Sequence, residues 1–226
     1  MNNFSLKLLA IIAMLIDHIG AIIFPQYLWL RVVGRIAFPI FCFLIVEGFY
    51  HTSNVKKYLI RLGIFAFVSE IPFDIAFYNK IMYIDYQNVF FTLFLGLIVI
   101  YLMSMVKKKF FNHTYIINLL HAFVVIIGCA ISIILKTDYS YIGILLIVAF
   151  YLFRDNKLFR CIVIIFITGL QGSFPIFHIP IEMYASTALI PISFYNGKKG
   201  PSMKYVFYLF YPLHLLCLHF IANYIL

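Results

Sequence analysis

The sequence predicts a single all-α domain, residues 1–226, folded as a polytopic transmembrane helical bundle of about nine spans. Of the 226 residues, 65% are hydrophobic and only 11% are charged, whereas soluble domains are roughly half apolar and a quarter charged. The charged residues also occur in short groups between apolar runs, several of which approach the roughly 20 residues that cross a bilayer as a helix. These two observations indicate an integral membrane protein.

Each predicted span is an apolar run that ends near charged or turn-forming residues. Five runs have about the length of a transmembrane helix: 4–24, 58–77, 87–106, 114–135 and 205–226. Four shorter runs suit tilted, re-entrant or bundle-buried helices: 34–50, 140–153, 161–173 and 183–195. We expect the first run to be retained and not cleaved as a signal peptide, because Asp17 and His18 interrupt the apolar region that a signal peptide needs.

The basic residues predict how the spans are oriented. Thirteen of the seventeen cations fall on one side of this topology, which by the positive-inside rule is the cytoplasmic side. They are Lys7, Lys56, Lys57, Arg61, Lys107, Lys108, Lys109, Arg154, Lys157, Arg160, Lys198, Lys199 and Lys204. The N-terminus is therefore predicted inside and the C-terminus outside. The same pattern accounts for the net charge of +9, so the lipid bilayer, not nucleic acid, is the expected partner.

Asp17 and His18 lie within the first apolar span, where ionisable side chains are costly and commonly functional. Helix geometry places Lys7 and His18 on one face, about 16 Å apart along the axis. Asp17 points about 100° away from His18 and is expected to contact a different helix. In a purely structural alternative, His18 bonds a neighbouring backbone and Asp17 pairs with Arg31 or Arg35.

Further polar residues lie at the ends of the predicted spans. Arg31 and Arg35 share one helix face, as do Glu70 and Asp74. They predict either an ion-pair network between the second and third spans or a substrate-binding surface, because arginine suits carboxylates and phosphates.

Two more positions are predicted to make polar contacts within the bundle. Glu47 is expected to form a salt bridge with a nearby cation, chosen from Lys56, Lys57 and Arg61. Asn88 and Thr92 share a face and are expected to hydrogen-bond across helices.

The last loop and the last span carry another set of candidates. Asn196, Lys198 and Lys199 form a turn that either marks the cytoplasmic side or holds phosphates through lysines and backbone amides. His214 follows Pro212, which frees a backbone carbonyl. His121 and His219 are interpreted as packing residues, and His178 in the segment 174–180 is placed at an entrance. The four cysteines lack the spacing of metal ligands, so they are interpreted as buried thiols and no metal site is predicted.

Taken together, short sequence blocks resemble the TraX family of membrane proteins over nearly the whole chain. The blocks are Met14 to Gly20, Gly34 to Phe41, Glu47 to Phe49, Arg61 and Leu62, Glu70 to Asp74, Asn88 to Thr92, Tyr195 to Gly197, Lys204 and Tyr205, and Tyr211 to His214. That family is named for a protein that acetylates the N-terminus of pilin, and it is distantly similar to the transmembrane acyltransferases. Those often carry a basic residue followed, after ten intervening positions, by a histidine, as Lys7 and His18 are here, although Lys7 stands where arginine is common.

The resemblance implies a bacterial cytoplasmic membrane protein that transfers acetyl or a similar acyl group from acyl-CoA. The implied acceptor is a pilin-like peptide N-terminus, an amino sugar, or another amine or hydroxyl of the cell envelope. No metal is implied. His18 would be the general base, Arg35 would stabilise the thioester oxygen, and Asp17 and His214 would support them. The implied CoA-binding residues are Lys7, Asn196, Lys198, Lys199 and Lys204. The implied acceptor-binding residues are Arg31, Glu47, Glu70, Asp74 and Asn88.

Two other function classes fit the same residues. Buried Asp, His, Glu and Arg side chains also form the proton relays of transporters and flippases, although the sequence lacks the two-half repeat common in transporters. A structural partner in membrane assembly would instead tolerate apolar replacements of Asp17 and His18.

Overall fold

The computed structural model describes residues 1–170, 181–201 and 204–225. For Lys204 it describes the backbone alone. This part of the chain is helical, with no strand beyond one isolated bridge between Gln87 and Thr137. The helices are α1 (Asn3–Ile22), α2 (Leu28–Gly34), α3 (Ala37–His51), α4 (Val55–Tyr78), α5 (Val89–Lys109), α6 (Thr114–Ile134), α7 (Ser140–Leu152), α8 (Lys157–Leu170), a 3-10 helix (Ile181–Ala188), α9 (Leu189–Ser193) and α10 (Lys204–Tyr224).

The all-α membrane fold is confirmed. Within the described residues, five helical segments are long and apolar enough to cross a bilayer: Asn3–Ile22, Leu28–His51, Val89–Lys109, Thr114–Ile134 and Tyr205–Tyr224. The count of nine crossings and the sidedness of the termini stay predictions. The second predicted span, 34–50, corresponds to α3. The short helix α2 that precedes it was not predicted. The eighth is a 3-10 helix followed by one short α-helix.

Local sequence explains where several helices begin and end. Asn2, Asn54 and Asn88 accept hydrogen bonds from the backbone amides of Ser5, Lys57 and Phe90 and so cap α1, α4 and α5. Such caps satisfy amide groups that the first helical turn leaves without partners. Helix α4 ends at Tyr78 and is followed by Asn79, whose φ of 53° is in the left-handed region that asparagine tolerates.

Helices α1, α3, α5 and α7 form the centre of the bundle, with α1 packed on α2, α3 and α10 and α5 packed on α4, α6 and α7. Leu6, Ile40, Leu97 and Ile147 are fully buried there. Helix α6 lies at the periphery, and its large apolar side chains point outward, as expected of a helix that faces lipid. The cysteines are only partly as predicted: all four are free thiols, but Cys42 is buried whereas Cys217 is exposed.

The two ends of the bundle differ in chemistry. One end contains the C-terminus of α1, helix α2 and the segments 79–88 and 135–139, and we call it the cavity end. The other contains the N-terminus of α1 and the segments 52–54, 110–113, 153–156 and 194–200, and we call it the basic end. Residues grouped by the cation pattern as cytoplasmic, including Lys107 and Lys198, lie at or near the basic end.

Candidate functional site

Asp17 is the centre of a buried ion-pair cluster at the cavity end. Its carboxylate lies 2.6 Å and 2.7 Å from Nη2 of Arg35 and 2.6 Å from Nη1 of Arg31, which also donates to the Asp17 carbonyl. Asp17 and Arg35 are only 7% and 8% exposed. Arg35 also lies 3.6 Å from Glu182 of the 3-10 helix. One carboxylate therefore holds two guanidinium groups in fixed positions.

This arrangement confirms one sequence prediction, the pairing of Asp17 with Arg31 or Arg35, and corrects another. Arg31 and Arg35 pair with Asp17 and Glu182, not with Glu70 and Asp74. Those two acids face the α4–α5 connection instead. The Glu70 carboxylate accepts from the backbone and side-chain amides of Asn88, and the Asp74 carboxylate accepts from the backbone amide of Tyr83 at 2.7 Å.

The predicted contacts of Asn88 and Thr92 across the bundle are present. Asn88 also donates to the Ala66 carbonyl at 2.8 Å, and the Thr92 hydroxyl donates to the Asp138 carbonyl. These bonds fix the start of α5 against α4 and against the α6–α7 connection. Among the acceptor-binding candidates, Asn88, Glu70 and Asp74 thus support the cavity wall, whereas Arg31 lines the cavity itself.

Gly34 allows α2 to approach α1 at this cluster. A methyl group at Gly34 would come within 2.2 Å of the Asp17 Cβ and 2.3 Å of its Oδ1. Real Cβ atoms do not approach other heavy atoms so closely, and the contacted atoms belong to a carboxylate that two arginines hold in place. Gly34 is therefore the residue that lets the ion-pair cluster form.

We expect Gly34→Ala to destabilise the protein by about 1–3 kcal/mol, because a well-packed site must move to admit an added methyl group. The measurement is thermal unfolding of the purified protein in detergent. Gly169→Ala is the matched control: Gly169 is also helical, but an added Cβ would meet no atom within 4 Å. Equal unfolding temperatures for the two variants would contradict the assignment.

His18 and His214 form a second polar contact beside the ion-pair cluster. Nδ1 of His18 lies 2.7 Å from Nε2 of His214, and Nδ1 of His214 lies 2.8 Å from the carbonyl oxygen of Phe210. The prediction that Asp17 and His18 contact different helices is thus confirmed: Asp17 contacts α2, while His18 contacts α10. The alternative in which His18 bonds only a neighbouring backbone is not what the structure has.

The hydrogen bonds assign the protons of this histidine pair. A carbonyl oxygen only accepts, so Nδ1 of His214 must donate to Phe210 and, in the neutral ring, its Nε2 is an acceptor. Nδ1 of His18 then donates to that Nε2, which leaves the lone pair on Nε2 of His18. That atom has no partner among the described residues, and His18 lines the cavity. His18 is thus arranged to act as a base, and His214 accepts the hydrogen bond from its other ring nitrogen.

A cavity of about 260 Å³ lies against these groups. Asp17, His18, Arg31 and Arg35 contribute its polar wall, and Met14 lines it on the side toward the basic end. The remainder is largely aromatic: Phe38, Phe41, Phe73, Phe77, Tyr78, Tyr86, Tyr139 and Tyr211. This combination of apolar walls and a few convergent polar groups is typical of small-molecule sites.

A second, wider cavity of about 810 Å³ continues from the first at the cavity end. The two share Arg31, Arg35, Tyr86, Asp138 and Tyr139, and the wider one is also lined by Glu182 and by the ion pair of Lys136 with Asp85. We call this wider space the vestibule. It gives the His18 cavity a polar approach from the side that the cation pattern assigns to the exterior.

Asp138 is a functional candidate that the sequence did not single out. Its Oδ1 accepts from the Tyr86 hydroxyl at 3.0 Å, and the adjacent Tyr139 ring stacks on Phe38 at 3.6 Å between centroids. Burial raises the pKa of Asp138 to about 6. No local sequence pattern indicates that the segment before α7 places Asp138 between the two cavities.

The raised pKa of Asp138 predicts a pH dependence of stability. The folded state holds this proton more tightly than the unfolded chain, so the stabilisation is fully present below the ordinary pKa of about 3.9 and is lost as pH rises through about 6. Asp138→Asn, which keeps an oxygen for Tyr86, should lose this component when unfolding temperatures are compared between pH 4.5 and 7.5. Asp85→Asn is the control, because Lys136 lowers the pKa of Asp85 and gives a change of opposite sign. Parallel curves for wild type and Asp138→Asn would contradict the prediction.

The remaining predicted site residues lie at the basic end. Lys7 lies over the Phe207 ring at 5.5 Å and is near enough to Lys199 for their charges to interact. The segment that holds Asn196 and Lys198 is tied to the N-terminus, because Asn196 donates to the Met1 carbonyl and Asn3 donates to the Lys198 carbonyl. These basic residues therefore form one group. The side chain of Lys204 and the whole of His178 lie outside the described residues.

Glu47 also lies at the basic end, and its predicted partner is wrong. Its Oε1 accepts from Nε of Arg154 at 2.9 Å, and its Oε2 lies 3.9 Å from His51. The predicted partners were Lys56, Lys57 and Arg61. Glu47 does not line either cavity, so it is not placed to bind an acceptor there.

Fold and site together define an integral membrane protein with a polar, aromatic-lined cavity buried in a helical bundle. The chain belongs to the TraX protein family, whose sequence profile matches residues 3–222. It is 32% identical to a probable fimbrial assembly protein, FimC, of Dichelobacter nodosus, over 96% of this chain and 94% of that protein. It is also 30% identical to an uncharacterised protein of Rickettsia prowazekii, over 84% of this chain and 68% of that one. No solved structure matches.

Proposed function

We propose that this protein is a membrane-embedded acyltransferase that moves acetyl, or a similar acyl group, from cytoplasmic acyl-CoA to an amine or hydroxyl acceptor. The observation that carries the proposal is the His18–His214 pair beside a cavity that His18 lines together with two arginines: the pair leaves the lone pair on Nε2 of His18 without a partner among the described residues. A positioned base and a nearby positive charge are what acyl transfer requires.

In this proposal the acceptor nitrogen or oxygen attacks the thioester carbonyl carbon while Nε2 of His18 takes the acceptor proton. The carbon–sulfur bond then breaks, and the leaving thiolate takes the proton from His18. His214 stabilises the transient imidazolium through the bond to Nδ1 of His18. Arg35 stabilises the negative charge on the carbonyl oxygen, and Asp17 keeps Arg35 in position. An acyl intermediate on His18 would use the same groups.

The two substrates would approach from opposite ends. The vestibule supplies the path for the acceptor, and the group of Lys7, Lys198 and Lys199 would hold the phosphates of CoA. Between this group and the cavity, Ala10 and Ile11 are packed in the core. Lys7 is about 16 Å from His18 along α1, so the acyl arm must pass along α1 toward Met14.

The acceptor class is proposed from the relatives. The relative from Dichelobacter nodosus is described as a probable fimbrial assembly protein, which favours the N-terminus of a pilus subunit. An amino sugar or another envelope amine or hydroxyl would fit the same vestibule. In each case the acceptor reaches His18 from the side of Asp138 and Glu182.

Acetyl-CoA should stabilise the purified protein against thermal unfolding in detergent, because ligands that bind only the folded state raise its stability. Replacing both Lys198 and Lys199 with Ala should weaken acetyl-CoA binding by about tenfold or more, since the loss of even one well-formed charge-assisted contact costs about 1.5–3 kcal/mol. Lys107→Ala with Lys108→Ala is the matched control, which removes two cations from the end of α5. An unchanged affinity in the first variant would refute the assignment of this loop, and no stabilisation of the wild type would count against acyl-CoA altogether.

A proton-coupled transporter is the second candidate, favoured by the connection between the vestibule and a cavity that contains titratable groups. It predicts solute uptake into proteoliposomes driven by a pH gradient, without binding of acetyl-CoA. The acyltransferase predicts the reverse pattern, so the two measurements together distinguish them.

A further inference from the structure

Arg160, at the basic end, is a buried cation that forms no ion pair with a carboxylate in the part of the chain that the structure describes. Only 8% of the residue is exposed, and its Nη1 donates to the Arg154 carbonyl at 3.0 Å. Its Nε is buried and has no hydrogen-bond partner among the described residues. A buried charge is strongly unfavourable unless it is paired and its donors are satisfied. Arg160 therefore needs an acceptor that the described protein does not supply.

The acids near Arg160 are otherwise engaged or solvated. The carboxylate of Glu47 is paired with Arg154. Asp155 is exposed and makes no ion pair within 4 Å among the described residues, although it is within electrostatic range of both arginines. The two arginines thus have one buried carboxylate between them, which leaves an excess positive charge.

The two guanidinium groups are held in fixed positions by aromatic rings. Arg154 lies 4.4 Å from the centroid of Tyr50, and Arg160 lies 5.9 Å from that of Phe43. One third of the Arg154 side chain is exposed, and Nη1 of Arg160 is bonded to the Arg154 carbonyl, so the exposed face of Arg154 is the open edge of the pair. Fixed arginine forks match the bidentate geometry of a phosphate as well as that of a carboxylate, and phosphate is the anionic group that phospholipid headgroups present at a membrane surface.

The surroundings indicate where the phosphate comes from. Leu152, Leu158 and Phe159 are 52%, 69% and 54% exposed around this edge. Exposed apolar side chains on a membrane protein face lipid, and this end carries the cations that the positive-inside rule assigns to the cytoplasmic leaflet. Cations placed there attract anionic lipids.

We propose that Arg160 and Arg154 bind the phosphate of an anionic phospholipid headgroup in the cytoplasmic leaflet. The headgroup phosphate occupies the open edge of the two guanidinium groups, and the acyl chains lie against the exposed apolar residues beside it. This site is at the opposite end of the bundle from His18 and does not depend on acyl transfer. Its role is to fix the α7–α8 connection at the membrane surface.

The test uses the full chain in a zwitterionic or neutral detergent. Short-chain phosphatidylglycerol is titrated while the thermal unfolding temperature is recorded, with short-chain phosphatidylcholine as the headgroup control and inorganic pyrophosphate as the soluble phosphate. Phosphatidylglycerol should stabilise the wild type more than either comparison ligand. Arg160→Gln should weaken this effect roughly tenfold or more, because a charge-assisted contact is lost. Lys157→Gln, which removes the same charge from an exposed position on the same helix, should keep it.

Each result decides the proposal. Stabilisation by pyrophosphate but not by the lipid would overturn the lipid and indicate a soluble phosphate ligand. Equal responses of wild type and Arg160→Gln, or equal losses in Arg160→Gln and Lys157→Gln, would overturn the site. If Arg160→Gln does not fold, Arg160→Lys replaces it: lysine keeps the charge but not the fork, so binding should weaken, and wild-type affinity would refute the geometry.

Discussion

Replacing His18 with Ala should reduce acyl transfer by about 10²–10⁴-fold, the usual contribution of a general base. The reason is specific to the hydrogen-bond pattern. In His18, which lines the cavity, Nε2 is the ring nitrogen left with a lone pair, and Nδ1 of His214 already donates to Phe210. The measurement is the rate of labelled acetyl transfer from acetyl-CoA to envelope acceptors by the purified, reconstituted protein.

The control for this experiment is His219→Ala on α10. Among the described residues, the side chain of His219 has a hydrogen-bond contact with Asn223, one turn further along the helix, and lines neither cavity, so its loss should leave the rate within about twofold of wild type. Binding of acetyl-CoA should persist in His18→Ala, which separates loss of chemistry from loss of fold. Undiminished transfer by that variant would refute His18 as the base.

Asp17→Asn should destabilise the protein by about 3–5 kcal/mol, the range observed when one partner of a buried ion pair is removed. Asparagine keeps the shape that Gly34 accommodates, so the change isolates the charge. Arg35 would be left buried, with Glu182 at 3.6 Å as its remaining carboxylate, and Arg31 would lose its carboxylate contact. Unfolding in detergent, followed by temperature or denaturant, measures the loss.

A second variant keeps this prediction decisive. Asp17→Asn combined with Arg35→Gln removes the stranded charge along with its partner, and it should recover part of the lost stability because a neutral pair no longer carries a buried uncompensated cation. If the single variant unfolds like wild type, the cluster is not an important source of stability. If the double variant loses as much stability as the Asp17→Asn and Arg35→Gln single variants lose together, the two residues are not coupled.

Those parts of the site that depend on a single helix could be predicted from the sequence. The separation of Asp17 from His18 follows from 100° of rotation per residue, and the structure places their partners on α2 and α10 accordingly. The polar role of Asn88 likewise follows from its position at the start of an apolar run. Such inferences need only local geometry.

The partners themselves depend on packing between distant segments. For Arg31 and Arg35 the sequence left two choices of partner, Asp17 or the acids Glu70 and Asp74, and the short connection after α1 decides between them because it folds α2 back onto Asp17. Glu47 pairs with Arg154, 107 positions away, instead of with the cations that follow it directly. Charge and spacing identified which side chains need partners, but only the arrangement of the helices decides which ones they meet.

The separation of the two polar contacts along the chain has a consequence for biosynthesis. Asp17 meets Arg31 and Arg35 across only 14 and 18 positions, so that cluster can form as soon as α2 follows α1 out of the ribosome. His18 meets His214 across 196 positions. Because chains are made and folded from the N-terminus, the base at Nε2 of His18 acquires its supporting imidazole only when the last helix arrives. A truncated or half-inserted product would hold its ion pairs but would lack the completed histidine pair.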